Sequence, residues 1–350
     1  MEVKALKFGG LTAKRPIVQG GMGVGVSLSS LAGNVAKCGG IGTISGVHPG
    51  YKEADFKENP FRANLRAIGN ELEKAKEIAN GGIIGFNFMT VMNHYEEYVK
   101  EAIGAGADFI VSGAGLPVNL AKYAAGTRAA ILPIVSSARA LKLIVKQWQR
   151  ADRLPDAVVV EGPLAGGHLG YPYGHLVDGT FDTLEDSLVD VVDYVRELEE
   201  KNGVIIPVIA GGGVRSHADM ERLMALGASG VQVGTKFVAT EECDAAPAFK
   251  QAYLRSRKED VQLIESPVGL AARAIRNSFL EKVEKQGRIP VQRCYQCMNH
   301  CKQAETKYCI SQALIDAVQG REGLVFCGAN AYEIEKLSTV EKVMQELCGE

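Results

Sequence analysis

Eight short apolar segments rich in β-branched residues alternate with amphipathic segments along the first 235 residues of the chain. The apolar segments span residues 16–22, 40–45, 82–89, 109–115, 130–136, 157–163, 207–214 and 230–235. The segments with helical spacing lie between them, at residues 27–38, 61–80, 93–104, 117–125, 138–150, 183–201 and 217–226. Strands that alternate with helices in this way form parallel sheets that are covered by the helices.

Eight strands and seven intervening helices predict an α/β fold, the (β/α)8 or TIM barrel, with a mostly helical C-terminal extension. An open doubly wound sheet is the alternative. The count of eight and the lack of a dinucleotide-binding fingerprint favour the barrel. We predict that residues 1–240 form the barrel and that residues 241–350 form a helical subdomain or lid.

The composition excludes several classes of function. The 350 residues are 46% apolar, so the chain can bury a core without disulfides. Lys and Arg number 39 against 41 Asp and Glu, which argues against binding nucleic acid or an anionic membrane through bulk charge. No apolar run reaches the ~18 residues of a spanning helix, and the N-terminus lacks an export signal. We therefore expect a cytoplasmic protein that acts on a small molecule.

Glycines at the ends of the last two predicted strands indicate a phosphate site. Gly211, Gly212 and Gly213 end the seventh strand, and Gly234 and Thr235 end the eighth. Glycines let backbone N–H groups approach an anion closely, and phosphate sites recur after strands seven and eight of this fold. Tight packing of strand on helix, without a ligand, is the alternative explanation.

Small residues at the ends of other strands suit a flat heteroaromatic ring. The segment after the first strand leaves the backbone bare, and the third and fourth strands contribute an amide and a further glycine. With a phosphate at one side, FMN fits such a mouth better than a dinucleotide does, although Met22 could equally be a core residue. Besides the phosphate residues, those predicted to surround this cofactor are Gly20, Gly21, Met22, Gly23, Asn87, Gly113, Glu161, Gly166 and Gly167.

His168 is the candidate catalytic residue. It follows Gly166 and Gly167 just beyond the sixth strand, where barrel enzymes place reacting groups. An imidazole with an ordinary pKa of ~6.5 can give or take a proton near neutrality. Glu161, at the end of the same strand, is predicted to orient this loop or His168 itself. A histidine that only caps the strand is the alternative.

The remaining histidines carry weaker predictions. His175 lies in the same loop as His168 and is a second candidate for proton transfer. We interpret the other four as structural residues: His48, His94, His217 and His300.

Several motifs together resemble one enzyme family. They are PIVQGGM at residues 16–22, EG at 161–162 followed by AGGHLG at 165–170, PVIAGGG at 207–213 and VQVGTKF at 231–237. This set is similar to the nitronate monooxygenase family, also called 2-nitropropane dioxygenase. The flavin-dependent enoyl-acyl-carrier-protein reductases share these motifs and also a tail segment like RAIRN at residues 273–277.

The resemblance implies a TIM barrel with FMN at its mouth and His168 as the residue that transfers the proton. It implies flavin contacts from Gly21, Met22 and Asn87, and phosphate contacts from Gly211, Gly213, Gly234 and Thr235. A nitronate oxidase and an enoyl reductase share this site geometry, so the motifs do not choose between the two reactions.

A cluster of cysteines departs from both relatives. Cys294, Cys297, Cys301 and Cys309 supply four thiols within 16 residues, and Cys327 is a spare. Four cysteines hold a [4Fe-4S] cluster or a zinc ion. The C-x2-C-x3-C spacing resembles the cluster loop of 2,4-dienoyl-CoA reductases, so we predict [4Fe-4S] ahead of zinc or free thiols.

The sequence therefore predicts an FMN-dependent oxidoreductase of the nitronate monooxygenase type. The alternative is an iron–sulfur flavoenzyme that reduces an activated C=C bond, and a real cluster would favour it. The electron donor is either NAD(P)H or a protein, and a homodimer is left open. Two further alternatives are a flavin-free barrel acting on a phosphorylated metabolite and a non-catalytic protein with a zinc-bound tail.

Overall fold

The computed structural model describes residues 4–299 and 301–350 of the chain. The strands among these residues are β1 (Leu6–Phe8), β2 (Leu11–Ala13), β3 (Ile17–Gln19), β4 (Ile41–Ser45), β5 (Ile83–Met89), β6 (Phe109–Gly113), β7 (Ala130–Val135), β8 (Val158–Glu161), β9 (Gly167–Leu169), β10 (Val208–Gly211), β11 (Gly230–Val233), β12 (Val261–Glu265) and β13 (Ala271–Ile275). The helices are α1 (Gly23–Val26), α2 (Ser29–Lys37), α3 (Pro60–Ala79), α4 (Tyr95–Gly104), α5 (Leu120–Tyr123), α6 (Ala138–Trp148), α7 (Tyr173–Asp178), α8 (Leu184–Asn202), α9 (His217–Ala225), α10 (Thr235–Val238), α11 (Pro247–Arg255), α12 (Ser278–Gln286), α13 (Ile310–Val318) and α14 (Val340–Cys348).

Eight parallel strands close into a barrel. Their order is β3-β4-β5-β6-β7-β8-β10-β11, and β11 pairs with β3 to complete the ring. Each of the eight predicted apolar segments contains one of these strands. The predicted (β/α)8 barrel is therefore confirmed.

The helices around the barrel form where local signals favour them. Asn59 accepts a hydrogen bond from the Arg62 N–H at the start of α3, and Pro60 occupies the first turn. Thr183 and Asp186 form a reciprocal capping box at the start of α8. Both helices bury an apolar face and expose a polar face, as expected for the outer layer of a barrel.

A short N-terminal hairpin made by β1 and β2 closes one end of the barrel. Leu6 and Phe8 are buried and pack against inward-facing residues of the barrel such as Phe109 and Ile209. The rings of Phe8 and Phe109 meet edge to face, with centroids 6.1 Å apart. The interior of the barrel is thus a packed core, and the open mouth lies at the carboxyl ends of the strands.

The chain beyond residue 240 contains helices α11 to α14 and also a β-hairpin that was not predicted. Strands β12 and β13 form a hairpin, and β13 also pairs antiparallel with β9, which follows barrel strand β8. Helix α14 packs against barrel helices α2 and α9. The mostly helical prediction therefore missed a three-stranded sheet, which ties the tail to the loop that carries His168.

Among residues 4–299 and 301–350, no helix has both the length and the apolarity needed to cross a bilayer.

Candidate active site

A cavity of about 490 Å³ lies at the mouth of the barrel. Of the predicted cofactor-binding residues, all but Gly211 line this cavity, and His168 lines it too. Gly211 lies within strand β10 and is buried, with its neighbours Glu161 and Gln232 on the flanking strands. The structure thus brings together, in one cavity, residues that are spread over most of the chain.

One wall of the cavity is built from the ends of β3 and β5. A Cβ atom at Gly21 would overlap the side chain of Asn87, whose amide nitrogen lies 3.4 Å from the Gly21 carbonyl oxygen. Met22 is fixed by its N–H, which donates to Ser27 Oγ at 2.9 Å. Only glycine fits at position 21, and its bare backbone faces the cavity.

A second wall comes from the loops after β10 and β11, and it adjoins the first because β11 pairs with β3. Gly212 and Gly213 have φ angles of 102° and 91°, which strongly favour glycine. A Cβ at Gly212 would lie 3.0 Å from the Gly162 carbonyl oxygen, so backbone from two loops meets here. Gly234 precedes Thr235, the first residue of α10.

Two cationic side chains border this same end of the cavity. Arg215 Nη1 lies 3.0 Å from Glu333, and Lys236 Nζ lies 2.7 Å from Glu346. Both carboxylates belong to the tail. The end of the cavity where phosphate is predicted is thus bordered by paired charges, together with the backbone of the glycine loops.

His168 is a neutral imidazole at this cavity. Burial lowers its pKa to about 4, so the ring is unprotonated at neutral pH. Its Nε2 atom lies 2.8 Å from Ser266 Oγ, and its ring packs edge-on against Phe326 with centroids 4.9 Å apart. A neutral imidazole carries one N–H donor and one acceptor, so the residue can take up a proton.

Glu161 is the second titratable residue of the predicted set. It ends strand β8 and lines the cavity. Burial raises the pKa of its carboxyl group to about 7. Its backbone carbonyl accepts a hydrogen bond from Tyr171 at 3.2 Å, whereas no hydrogen bond between Glu161 and His168 is found among the described residues. The prediction that Glu161 orients His168 directly is not met by this geometry.

The tail, predicted as a subdomain or lid, supplies a further wall through residues that were not predicted to line the site. Phe326, Cys327, Gly328 and Asn330 line the cavity, and Tyr253 of α11 lies beside them. Cys327 donates its N–H to the Arg273 carbonyl of β13 at 3.1 Å. The RAIRN segment at residues 273–277 was the one sequence feature that pointed to this wall. The wall depends on contacts between residues far apart in the chain, and such contacts leave no local pattern in the sequence.

The other histidines of the described residues do not line the main cavity. His175 is exposed on the short helix α7 and is not among the residues that line the cavity. His48 is buried and bonded to Ser311 at 2.8 Å, consistent with a structural role. His300 lies outside the described residues.

The predicted cysteine ligands lie on an irregular segment between α12 and α13, against the barrel mouth. Asn93 donates its N–H to the Cys297 carbonyl at 3.1 Å and its side-chain amide to the Gln296 carbonyl at 2.7 Å. Cys297 and His168 both line a small chamber of about 30 Å³ beside the main cavity. The cysteine segment thus lies on the same side of the mouth as the candidate catalytic residue.

The four thiols are close enough to influence one another. Burial raises the pKa of Cys297 to about 11, and Cys309, Cys301 and Cys294 each add to the rise. Across residues 4–299 and 301–350, however, no group of three or more His, Cys, Asp or Glu side chains could hold a metal ion. The arrangement of these residues therefore does not support the predicted [4Fe-4S] cluster or the zinc alternative.

A closed (β/α)8 barrel with glycine-lined strand ends and a neutral histidine at its mouth is the arrangement of a flavin-dependent oxidoreductase. Within that class, a family model described as nitronate monooxygenase matches residues 4–350. The chain therefore belongs to the nitronate monooxygenase family.

Curated relatives agree with this assignment. A probable nitronate monooxygenase of Staphylococcus saprophyticus is 25% identical over 308 residues, which cover 81% of this chain and 82% of that protein. A second, from Staphylococcus aureus strain Newman, is 27% identical over 305 residues, covering 80% of this chain and 81% of the relative.

Solved structures show the same fold. FabK from Thermotoga maritima matches with a TM-score of 0.72 and 24% identity, over 96% of this chain and 92% of that one. A nitroalkane oxidase from Streptomyces ansochromogenes matches with a TM-score of 0.66 and 21% identity, over 96% and 95% of the two chains. At these identities the likeness establishes the fold alone.

Proposed function

We propose that the protein is an FMN-dependent oxidoreductase of small nitroalkanes and their nitronates, with His168 as the residue that moves the substrate proton. The observation that carries this proposal is a single cavity with bare glycine backbone on its walls and a neutral imidazole at its edge. When bound, the flavin would supply the redox chemistry. Binding, orientation and proton transfer would fall to the residues of the chain.

The lining of the cavity supports FMN as the flavin. Its volume of about 490 Å³ lies within the range of cofactor pockets. Gly21, Met22 and Asn87 would flank the ring system. Backbone N–H groups of the glycine loops would hold the phosphate, since the positive φ angles there bring bare backbone to the cavity. The residues proposed for the phosphate are Gly212, Gly213, Gly234 and Thr235, with Gly211 behind them in the strand.

The protonation state of His168 favours one direction of proton transfer. A ring whose pKa is about 4 is unprotonated at neutral pH, and it can therefore accept a proton from the carbon next to a nitro group. This step converts a nitroalkane into its nitronate. An enoyl reductase would need the opposite, an acid that protonates the alkene carbon. The nitronate reaction is therefore our first proposal.

The second candidate is reduction of an activated C=C bond by an iron–sulfur flavoenzyme. The observation that favours it is the position of Cys297, which lines the chamber next to His168. A one-electron carrier has an obvious use there, with NAD(P)H or a protein as the ultimate donor. The described residues, however, form no group that could hold a metal ion.

The cysteine segment supplies the kind of donor that a cluster requires, although its sulfurs are not arranged to hold one among the described residues. The Gln296 N–H donates to Cys294 Sγ at 3.4 Å, and Gln296 itself bends the chain with a φ of 51°. Burial raises the pKa of Cys309, while the N–H groups of Ser311 and Gln312 oppose that rise. Hydrogen bonds of this kind stabilise and tune thiolate ligands.

Two assays test these proposals. Oxygen consumption with a short-chain nitroalkane and its nitronate should exceed background, whereas anaerobic reduction of enones and enoyl thioesters with NADH or NADPH should not. The reverse result would replace the first candidate by the second.

A metal analysis tests whether the cysteines hold a cluster or zinc. Iron, zinc and acid-labile sulfide are measured in protein purified without oxygen. Iron and sulfide at about four atoms each per chain would support [4Fe-4S], and Cys297→Ser should then lose the iron absorption while Cys38→Ser keeps it. Protein without iron or zinc would leave free thiols and remove both metal proposals.

A further inference from the structure

The β12–β13 hairpin of the tail pairs with the segment that carries His168. Strand β9, which contains His168, pairs with β13, so that His168 faces Ala272 and Gly167 faces Arg273 in the ladder. Hydrogen bonds of this sheet fix the backbone of His168. The tail is therefore part of the scaffold that positions the candidate catalytic residue.

Ser266, in the turn that joins β12 to β13, contacts the imidazole directly. Its Oγ lies 2.8 Å from Nε2 of His168. The turn is closed by hydrogen bonds from the Ser266 N–H to the Leu270 carbonyl and from the Gly269 N–H to the Ser266 carbonyl, both at 2.9 Å. Ser266 is 6% exposed, so its hydroxyl is held in place and shielded from bulk water.

A second tail residue restricts the ring from another side. Phe326 packs edge-on against His168 and is bridged to Ala274 of β13. With Nε2 bonded to Ser266, the other ring nitrogen, Nδ1, makes no hydrogen bond to any of the described residues, while the side chain lines the cavity. Nδ1 is thus the nitrogen left for a substrate.

We propose that Ser266 is the positioning residue for His168: its hydroxyl accepts a hydrogen bond from Nε2–H and so leaves Nδ1 unprotonated to take the substrate proton. This inference rests on the proposed function for its kinetic consequence. A neutral imidazole has a single N–H, and the partner of one nitrogen decides which nitrogen carries it. When Nδ1 takes a proton, the Nε2–H bond to the hydroxyl persists and stabilises the imidazolium.

The groups around His168 support Ser266, a neutral hydroxyl, as the partner that positions the ring. Ser266 and Phe326 come from the tail, and Cys297 and His48 line the neighbouring chamber. No carboxylate lies within ion-pair distance of His168 in the described part of the chain. A serine therefore sets the tautomer without raising the basicity of the ring as a carboxylate would.

The first test uses 15N-histidine NMR of the holoenzyme, which reports the tautomer of each of the six histidines; His168→Gln assigns the relevant signals. The wild type should show His168 protonated at Nε2 and bare at Nδ1, and Ser266→Ala should give a mixture. Ser266→Thr should restore the single tautomer. A wild-type ring protonated at Nδ1, or a tautomer unchanged in Ser266→Ala, would overturn the proposal.

The second test is kinetic. Ser266→Ala should lower kcat for a neutral nitroalkane about tenfold, the effect of losing one hydrogen bond to the reacting group, and leave KM and turnover of preformed nitronate within about threefold. Ser266→Thr should recover most of the loss. Ser137→Ala, which removes the hydroxyl that caps α6 and is not among the residues that line the cavity, should leave kcat unchanged.

The outcomes separate this inference from the proposed function. If the wild type turns over neither nitroalkane nor nitronate, the substrate class is wrong, while the NMR result still decides the role of Ser266. If both substrates slow equally in Ser266→Ala, or Ser266→Thr fails to recover activity while it retains FMN and its thermal stability, Ser266 is not a positioning residue.

Discussion

Gly328 packs directly against Thr235, and no Cβ atom would fit between the two residues. Thr235 begins the helix after the last barrel strand, whereas Gly328 belongs to the tail. Gly166 meets the same tail segment, since a Cβ atom there would lie 2.7 Å from the backbone of Cys327. The tail thus forms the outer wall of the cavity, so cofactor retention should depend on residues almost one hundred positions beyond the barrel.

Gly328→Ala should weaken FMN binding. The added methyl group collides with Thr235, and overpacking of this kind typically costs about 1–3 kcal/mol. If that cost falls on the holoenzyme, the Kd for FMN rises about tenfold or more. Fluorescence titration of the apoprotein with FMN measures this Kd. Gly174→Ala, in open space on helix α7, is the control, and an equal Kd for both variants would show that the wall does not hold the cofactor.

The two phosphate loops should differ in their tolerance of alanine. Gly212 has a φ of 102°, and its Cβ would meet backbone of Gly162, so Gly212→Ala should yield protein depleted of FMN. Gly234 has an ordinary φ of −117°, and its Cβ would meet only the flexible Met22 side chain. Gly234→Ala should therefore keep FMN, whereas Gly234→Leu should lose it. Full FMN content in Gly212→Ala would relocate the phosphate site.

His168→Ala should separate the two substrates of the proposed reaction. Turnover of a neutral nitroalkane should fall by about 10²–10⁴, the usual contribution of general base catalysis. Preformed nitronate needs no proton removed, so its turnover should change by about threefold or less, with FMN still bound. Equal losses on both substrates would remove His168 from the proton transfer.

Glu161→Gln should change how stability depends on pH. Burial raises the pKa of this carboxyl to about 7 in the folded protein, above its ordinary value of 4.5. The native state therefore binds this proton more tightly than the unfolded state, and stability is lost as the pH rises from about 4.5 to 7. The loss is at most about 3 kcal/mol.

Glu161→Gln should not lose stability over this pH range, because the glutamine amide does not titrate. Its free energy of unfolding in urea should exceed that of the wild type at pH 8, and the difference should shrink to about 1 kcal/mol at pH 5. A difference that is the same at both pH values would mean that Glu161 titrates normally.

The barrel was predictable because its signals are local. Each barrel strand is a short apolar run, and the predicted helices at 61–80 and 138–150 differ from α3 and α6 by at most two residues at either end. The N-terminal hairpin was missed because its two three-residue strands, unlike β3, do not lie in a longer apolar and glycine-rich segment. The hairpin is buried because it covers one end of the barrel.

The mouth was predictable only in part. The glycine loops and His168 follow barrel strands directly, so their convergence follows from the fold. Ser266 and Phe326 do not, because their place beside His168 depends on how β13 pairs with β9. The cysteine spacing predicted a metal site on sequence alone, yet spacing does not establish that the sulfurs converge.

The central claim is that FMN occupies the barrel mouth, and identification of the released cofactor tests it most directly. Freshly purified protein should be denatured and its supernatant analysed by absorption and mass spectrometry. We expect FMN at about one molecule per chain, or uptake to that level when FMN is added. Protein that contains no flavin and binds none on addition would contradict the account.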